Sequence, residues 1–85
     1  MKPVALITGG QQGIGLGVAE ALVKAGFAVA LASLAAADDA AVVSARGKLG
    51  ANARYFRHDL SDLGNVPPLL DAVETELGAV DCLVS

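Results

Sequence analysis

The sequence has few of the residues that form covalent links, metal clusters or an aromatic core. Its 85 residues include one cysteine, Cys82, so no disulfide can form within the chain, and a lone thiol fits a reducing compartment. Tryptophan is absent and aromatic residues make up 4%, so a folded core must be aliphatic. The single histidine, His58, cannot by itself supply a metal site or a catalytic triad. We therefore expect neither an intrachain disulfide nor a metal centre.

The charge and hydropathy patterns argue against nucleic-acid and membrane partners. The formal net charge is −3, and no basic run is present that could neutralise a line of phosphates. The longest weakly polar run, residues 27–37, is interrupted by Ser33 and is too short to span a bilayer. The glycines after Thr8 end the apolar stretch that follows Lys2 too early for a signal peptide. These patterns predict a soluble cytoplasmic protein.

Short apolar runs alternate with helical stretches along the chain. Residues 4–7 are continuously apolar, as expected of a strand that is covered on both faces of a parallel sheet. Strands are predicted at 4–7, 27–32, 53–57 and 79–84, and helices at 14–25, from Asp38–Asp39 to 49, and from Pro67–Pro68 to Gly78. Strands that alternate with helices form a parallel sheet with right-handed crossovers. The predicted fold is therefore α/β, a Rossmann-type parallel sheet with the element order βαβαβαβ and the strand order 3-2-1-4.

Apolar residues at a spacing of three to four predict which face of each helix is buried. The predicted inner faces are Ile14, Val18, Leu22 and Ala25 in the first helix, Val42, Ala45 and Leu49 in the second, and Leu70, Val73 and Leu77 in the third. Gly26 and Gly78 are placed to end the first and third helices, because the residue after a helix often adopts a left-handed conformation that glycine tolerates.

The segment between the first strand and the first helix is rich in glycine, and residues 8–15 read TGGQQGIG. A glycine turn between an apolar strand and a helix is the setting of a dinucleotide-binding site. Gly9 can take the tight turn off the strand, Gly13 lets the backbone approach a pyrophosphate, and Gly15 lets the helix pack closely on the strand. The N–H groups and the dipole at the helix start favour an anion there. The alternative is that the glycines only turn the chain between two elements.

The glycines at Gly9, Gly13 and Gly15 follow a threonine with the spacing Gly-x3-Gly-x-Gly. This spacing closely resembles the short-chain dehydrogenase/reductase family, particularly its 3-oxoacyl-(acyl-carrier-protein) reductase-like members. The resemblance covers essentially the whole chain and extends to GLGVA at 15–19, HDL at 58–60 and VDCLV at 80–84. It implies a nicotinamide dinucleotide held by Thr8, Gly9, Gln11, Gln12, Gly13, Ile14 and Gly15.

The resemblance also implies an adenine contact after the third strand. In the family an aspartate at this place contacts the adenine, which here is Asp59, with Leu60 beside it. The alternative is that Asp59 caps a turn or the next helix, a role for which Ser61 and Asp62 compete.

The form of the cofactor is open between NAD and NADP. An acidic residue about 20 positions beyond the glycines normally binds the ribose hydroxyls of NAD, and here that position is Ser33. Leu34 and Gln12 occupy the places where a basic residue would favour the phosphate of NADP. Asp38 and Asp39 lie several residues too late to be assumed as substitutes. Ser33 is a candidate cofactor residue that could donate a hydrogen bond to either form, or it could simply end the strand.

The family's catalytic residues are expected to lie outside this chain. The family uses a Tyr-x3-Lys pair with a serine and an asparagine, all beyond its fourth strand, and the tyrosine is the general acid–base. Here the only tyrosine, Tyr55, lies in a predicted strand, is interpreted as a core residue, and has Asp59 at the fourth position after it. Ser85 occupies the first place of the family's Asn-Asn-Ala-Gly segment. The resemblance thus implies that residues 1–85 are the N-terminal NAD(P)-binding part of a Rossmann domain, without a catalytic residue.

For the whole protein, the resemblance implies an oxidoreductase that transfers hydride between the nicotinamide and a carbonyl or alcohol carbon, such as that of a 3-oxoacyl thioester. It also implies a homo-oligomer. One alternative is a non-catalytic nucleotide-binding module that ends at Ser85. Another is a relative of the nucleotide-sugar epimerases, but these usually carry an aromatic or bulky residue just before the Ile-Gly pair, where this chain has Gly13.

Overall fold

Strands and helices alternate along the chain in the computed structural model, which describes residues 2–9, 13–36, 38–58, 64 and 66–84. In chain order the elements are β1 (Val4–Thr8), α1 (Gly13–Lys24), β2 (Ala28–Ser33), α2 (Ala40–Leu49), a 3-10 turn (Gly50–Asn52), β3 (Ala53–Arg57), α3 (Val66–Leu77) and β4 (Val80–Val84). The predicted alternation is confirmed, and the predicted bounds differ from the observed ones by at most two residues. Within the described ranges, no helix is long and apolar enough to cross a membrane.

All the strand pairs are parallel, and the strands lie side by side in the predicted order, β3-β2-β1-β4. Since parallel strands run in the same direction, their carboxyl ends meet at one edge of the sheet, where Thr8 pairs with Ala32 and Ser33 pairs with Arg57. The strand order reverses between β1 and β4. Open parallel sheets bind ligands at such a switch point, outside the carboxyl ends of the strands. The topology therefore defines the edge at which a site is expected.

Helices cover both faces of the sheet, which explains the continuous apolar runs of β1 and β2. One core lies between the sheet and α3 and contains Val4, Leu6, Ala28, Ala30, Ala32, Phe56, Leu69 and Val73. The other lies between the sheet and the helices α1 and α2 and contains Ile7, Ala19, Val29, Leu31, Ala45, Leu49 and Ala53. Successive residues of a strand fall into different cores because their side chains point alternately to the two faces.

The buried face of α1 differs in part from the predicted one. Its fully buried residue is Ala19, whereas the predicted Val18 and Leu22 are only partly buried. The predicted Ile14 is 88% exposed, and Ala25 is exposed as well. The spacing rule gives most weight to large side chains, but a helix approaches a sheet most closely where its side chain is small. Alanine at position 19 permits that approach.

The buried face of α3 also differs from the prediction, while that of α2 does not. In α3 the buried residues are Leu69 and Val73, and the predicted Leu70 and Leu77 are partly buried. Both adjacent leucines fit a spacing of three to four residues from Val73, so only packing decides which of them is buried. In α2 the predicted residues Val42, Ala45 and Leu49 are all buried.

The ends of the helices are formed by the residues that the sequence indicates. Asp39 caps α2, since its Oδ1 accepts a hydrogen bond of 2.9 Å from the Ala41 N–H. Gly26 follows α1 with a φ of +97°, and Gly78 follows α3 with a φ of +106°. Both values lie in the left-handed region that favours glycine. The two prolines of α3 lie in its first turn, where their missing N–H groups have no partner within the helix.

An irregularity in β4 is held by an aspartate. The pairing of β1 with β4 shifts between Val4↔Val80 and Ala5↔Cys82, so Asp81 is an extra residue opposite β1. The Asp81 Oδ2 accepts a hydrogen bond of 2.9 Å from the Val4 N–H. The carboxylate thus satisfies an amide at the point where the ladder is irregular.

We predict that Asp81→Ala lowers the free energy of unfolding by about 1 kcal/mol, because the Val4 amide loses its acceptor. Asp81→Asn is the matched control, since its side-chain carbonyl oxygen can still accept the bond. Urea unfolding of the three proteins measures the difference. Equal stability of the wild type and the alanine variant would show that the contact contributes nothing to β1–β4 pairing.

Candidate functional site

The glycine turn lies at the switch point of the sheet, between the end of β1 and the start of α1. Gly9 and Gly13 have φ values of +69° and +61°, in the left-handed region that favours glycine. The Gly9 N–H donates a hydrogen bond of 2.8 Å to the carbonyl oxygen of Ala32 in β2. The Thr8 hydroxyl donates to the carbonyl oxygen of Val84 in β4 at 3.5 Å. The turn is therefore joined to both strands that flank β1.

The start of α1 offers N–H donors without a competing negative charge. Because α1 begins at Gly13, the amides of Gly13, Ile14 and Gly15 belong to its first turn, where N–H groups have no acceptor within the helix. This first turn contains no acidic residue, and the helix dipole adds a partial positive charge. Apart from its chain neighbours, no atom of the described residues would lie within 4 Å of a Cβ on Gly9 or Gly13, so none of these residues fills the space beside the two glycines. Such a donor set fits a pyrophosphate.

The described residues that the sequence singles out for cofactor binding all belong to this edge of the sheet. They are Thr8, Gly9, Gly13, Ile14, Gly15 and Ser33. The other predicted residues, Gln11, Gln12, Asp59 and Leu60, lie outside the described residues. The contacts of all ten residues with a cofactor stay predictions. Within the described ranges, no group of three or more His, Cys, Asp or Glu side chains could hold a metal ion.

Ser33, at the end of β2, has its hydroxyl group hydrogen-bonded inside the protein. The single Tyr55 O–H is directed at the backbone carbonyl oxygens of Ala35 and Ser33. In the 2.7 Å contact between the two hydroxyls, Ser33 is therefore the donor and Tyr55 the acceptor. The Ser33 Oγ also accepts a hydrogen bond of 3.3 Å from the Ala35 N–H. Since its only hydrogen is engaged by Tyr55, Ser33 has just an oxygen lone pair to offer a ligand.

Two further residues at the end of β3 contact the loop after β2. The Arg57 Nε–H donates to the Leu34 carbonyl oxygen at 2.9 Å, and the His58 N–H donates to the Ser33 carbonyl oxygen at 2.9 Å. The Nδ1 atom of His58 is buried and has no hydrogen-bond partner in the part of the chain described, which is rare for a polar atom. Together with Tyr55, these residues hold the loop after β2 from the neighbouring strand.

Sequence reasoning missed the contacts that Tyr55 and Arg57 make with the end of β2 and the loop after it. Tyr55 is predicted as a core residue, and its ring does pack against the core beside α1 and α2, but its hydroxyl holds the end of β2. The alternation of β3 carried the necessary signal, because residues two apart in a strand share a face. Once β3 lies beside β2, Tyr55 pairs with Leu31 and Arg57 pairs with Ser33.

We predict that Ser33→Ala and Tyr55→Phe each lower the free energy of unfolding by about 1 kcal/mol, since each removes one hydroxyl of a hydrogen-bonded pair. The double variant should lose less than the sum of the two, with a coupling of about 0.5 kcal/mol or more. Chemical unfolding of the four proteins of this cycle measures the coupling. Strictly additive losses would mean that the two hydroxyls do not stabilise each other.

The chain is similar to one family of known proteins over almost its whole length. It matches the model of the short chain dehydrogenase family over residues 3–85. It is 37% identical over 82 residues to galactitol 2-dehydrogenase of Agrobacterium fabrum, covering 96% of this chain and 31% of that relative. It matches the crystal structure of a short-chain dehydrogenase/reductase from Sinorhizobium meliloti with a TM-score of 0.87 and 41% identity, covering 98% of this chain and 38% of the other.

A second solved structure carries a cofactor. It is the 3-oxoacyl-[acyl-carrier protein] reductase from Brucella melitensis in complex with NAD, which matches with a TM-score of 0.82 and 40% identity over 98% of this chain and 32% of that one. The chain spans about a third of the length of the curated relatives it matches. The similarity therefore establishes the fold and the family of this segment.

Proposed function

The chain belongs to the short-chain dehydrogenase family, and on this premise we propose that it binds the nicotinamide cofactor of an NAD(P)-dependent oxidoreductase. The observation that carries the proposal is the turn between β1 and α1. Gly9 and Gly13 take left-handed conformations there, at the switch point of the sheet, and no described residue beyond their chain neighbours fills the space beside them. The structure of a relative with NAD bound supports the choice of cofactor class.

Each part of the dinucleotide has a proposed place along the carboxyl edge of the sheet. The first-turn amides of α1, with Gly9, Gln11 and Gln12 in the preceding turn, would hold the pyrophosphate by hydrogen bonds and by the helix dipole. The adenosine ribose would lie near Ser33, and the adenine near Asp59 and Leu60. When bound, the nicotinamide supplies the hydride acceptor or donor.

The proposed reaction is hydride transfer between the nicotinamide and a carbonyl or alcohol carbon of a small molecule. The relatives named above are a dehydrogenase of galactitol and a reductase of 3-oxoacyl groups, which supports this substrate class without selecting a substrate. A 3-oxoacyl thioester is one candidate. A cytoplasmic location and a homo-oligomeric assembly are parts of the same proposal, and the assembly rests on the family resemblance alone.

We propose that residues 1–85 supply cofactor binding and that the acid–base group comes from elsewhere in a longer protein. Tyr55 is the only tyrosine of the sequence. Its hydroxyl is directed at the backbone oxygens of Ser33 and Ala35, so it holds a loop and is not poised to transfer a proton to a substrate. The residue four positions after it is Asp59, where the family's proton-transfer pair has a lysine.

We predict that Gly13→Val abolishes dinucleotide binding. A valine at a φ of +61° is strained, and its side chain would fill the space in which the pyrophosphate is proposed to lie. Fluorescence titration of the reduced cofactor measures the affinity, and a thermal melt verifies that the variant is folded.

Gly17→Ala is the matched control for this substitution. Gly17 lies in the same helix, has no left-handed φ and offers open space for a Cβ. The alanine should leave affinity unchanged and favour the helix slightly. Unchanged affinity in a folded Gly13→Val protein would contradict the role assigned to the turn.

We predict that the 85 residues alone, when purified, show no NAD(P)-linked turnover, because their sequence lacks the Tyr-x3-Lys pair with which the family transfers the proton. The natural full-length protein should turn over a suitable alcohol or ketone. Nicotinamide absorbance with a panel of such substrates measures both. Turnover by the 85-residue piece would overturn the proposed division between binding and catalysis. A full-length protein that binds the cofactor but turns over no substrate would favour a non-catalytic nucleotide-binding module.

A further inference from the structure

The last residue of β3 is a cation beside the place where the adenosine ribose is proposed to lie. Arg57 pairs in register with Ser33, and neighbouring strands of a sheet are about 4.8 Å apart. Paired residues of adjacent strands project to the same face, so Arg57 and Ser33 share both a face and an edge. Arg57 is exposed. In dinucleotide-binding folds, the residue after the second strand reads the ribose hydroxyls, and a nearby arginine accommodates a 2′-phosphate.

The guanidinium of Arg57 is anchored to the loop that follows β2. Its Nε–H donates to the Leu34 carbonyl oxygen at 2.9 Å. This contact uses one of the five N–H donors of the group, and the two Nη atoms carry the other four. The planar fork of Nη donors matches two oxygens of a phosphate, and anchoring at Nε reduces the conformational entropy that such binding would cost.

The end of β2 has no carboxylate that would favour an unphosphorylated ribose. Ser33 stands at the position of the usual acid, and its hydroxyl hydrogen is engaged by Tyr55. Of the two aspartates that follow, Asp39 uses its Oδ1 to accept the Ala41 N–H at the start of α2. Position 33 itself therefore presents no carboxylate to a 2′-phosphate.

We propose that Arg57 is a specificity residue that binds the 2′-phosphate of the cofactor, so that the chain prefers NADP(H) to NAD(H). This inference rests on the proposed function, since it assumes a dinucleotide at this edge. A phosphate monoester carries a charge of about −1.5 to −2 at neutral pH. NADPH differs from NADH only in this phosphate. Arg57 should therefore affect the affinity for NADPH and not the affinity for NADH.

The test is a set of calorimetric titrations of the natural full-length protein with NADPH, NADH and 2′,5′-ADP. The wild type should bind NADPH about tenfold or more tightly than NADH, and the preference should fall as salt is raised. Arg57→Gln should weaken NADPH and 2′,5′-ADP by about tenfold to a hundredfold and leave NADH unchanged. Arg57→Lys keeps the charge but loses the planar fork of donors. Its affinity for NADPH should therefore lie between those of the wild type and of Arg57→Gln.

Arg54→Gln is the control for the general loss of a positive charge. Arg54 is exposed on the same strand but lies three residues earlier, and its Nη1 donates to the Ala51 carbonyl oxygen at 2.9 Å. Its replacement should change neither affinity. Thermal melts of all variants verify that they are folded. If Arg57→Gln does not fold, the affinities of Arg57→Lys for NADPH and NADH test the same role.

The possible outcomes separate this inference from the proposed function. A wild type that binds NADH as tightly as NADPH, or a folded Arg57→Gln protein with an unchanged ratio of the two affinities, would overturn the role of Arg57 while leaving dinucleotide binding intact. A preference for NAD(H) is the main alternative to test, because a relative of 40% identity has been solved in complex with NAD. Failure of the wild type to bind either dinucleotide would overturn the proposed function and this inference together.

Discussion

The parallel pairing of β1 with β2 on one side and β4 on the other is the constraint on which the candidate site depends. It brings the carboxyl ends of the strands to one edge, with the reversal of strand order beside β1. Because β1 is covered on both faces, its residues Val4–Ile7 are apolar and buried, and the first polar residue is Thr8 at the end of the strand. The glycine turn begins at that point. Its hydrogen bonds to Ala32 and Val84 tie it to the two neighbouring strands.

The loop after β2 depends on a second set of contacts, made across the sheet by β3. The Tyr55 hydroxyl, the Arg57 Nε–H and the His58 N–H all bind polar atoms of the segment from Ser33 to Ala35. A loop that leaves a strand would otherwise have few partners of its own. Its conformation is therefore set by residues twenty or more positions later in the chain. The part of the edge at which an adenosine ribose is proposed to lie is thus built by β2 and β3 together.

The two sides of the edge differ in the chemistry they offer. At the start of α1 the donors are backbone N–H groups, which recognise an anion without regard to the side chains that surround it. Beside β2 and β3 the polar groups are side chains, and there one form of a dinucleotide can be distinguished from another. Among the described residues, the groups to which we assign cofactor contacts are backbone amides, Ser33 and Arg57, and none of them is assigned a proton-transfer role. This arrangement is the one expected under the proposal that the segment positions a cofactor for chemistry carried out by other residues.

The sequence by itself determined the alternation of elements, the order of the strands and the position of the glycine turn. The alternation and the turn follow from local rules, because runs such as Val4–Ile7 suit a buried strand and a left-handed turn favours glycine, as at Gly9 and Gly13. The order of the strands follows from the topology expected of alternating strands and helices. Tertiary structure decided which residues of α1 and α3 are buried, and which groups contact the end of β2. Leu69 and Leu70 are equivalent by spacing, and only packing against the sheet buried the first. Likewise, Ser33 and Arg57 are neighbours because of the register in which β3 pairs with β2, and no local pattern encodes that register.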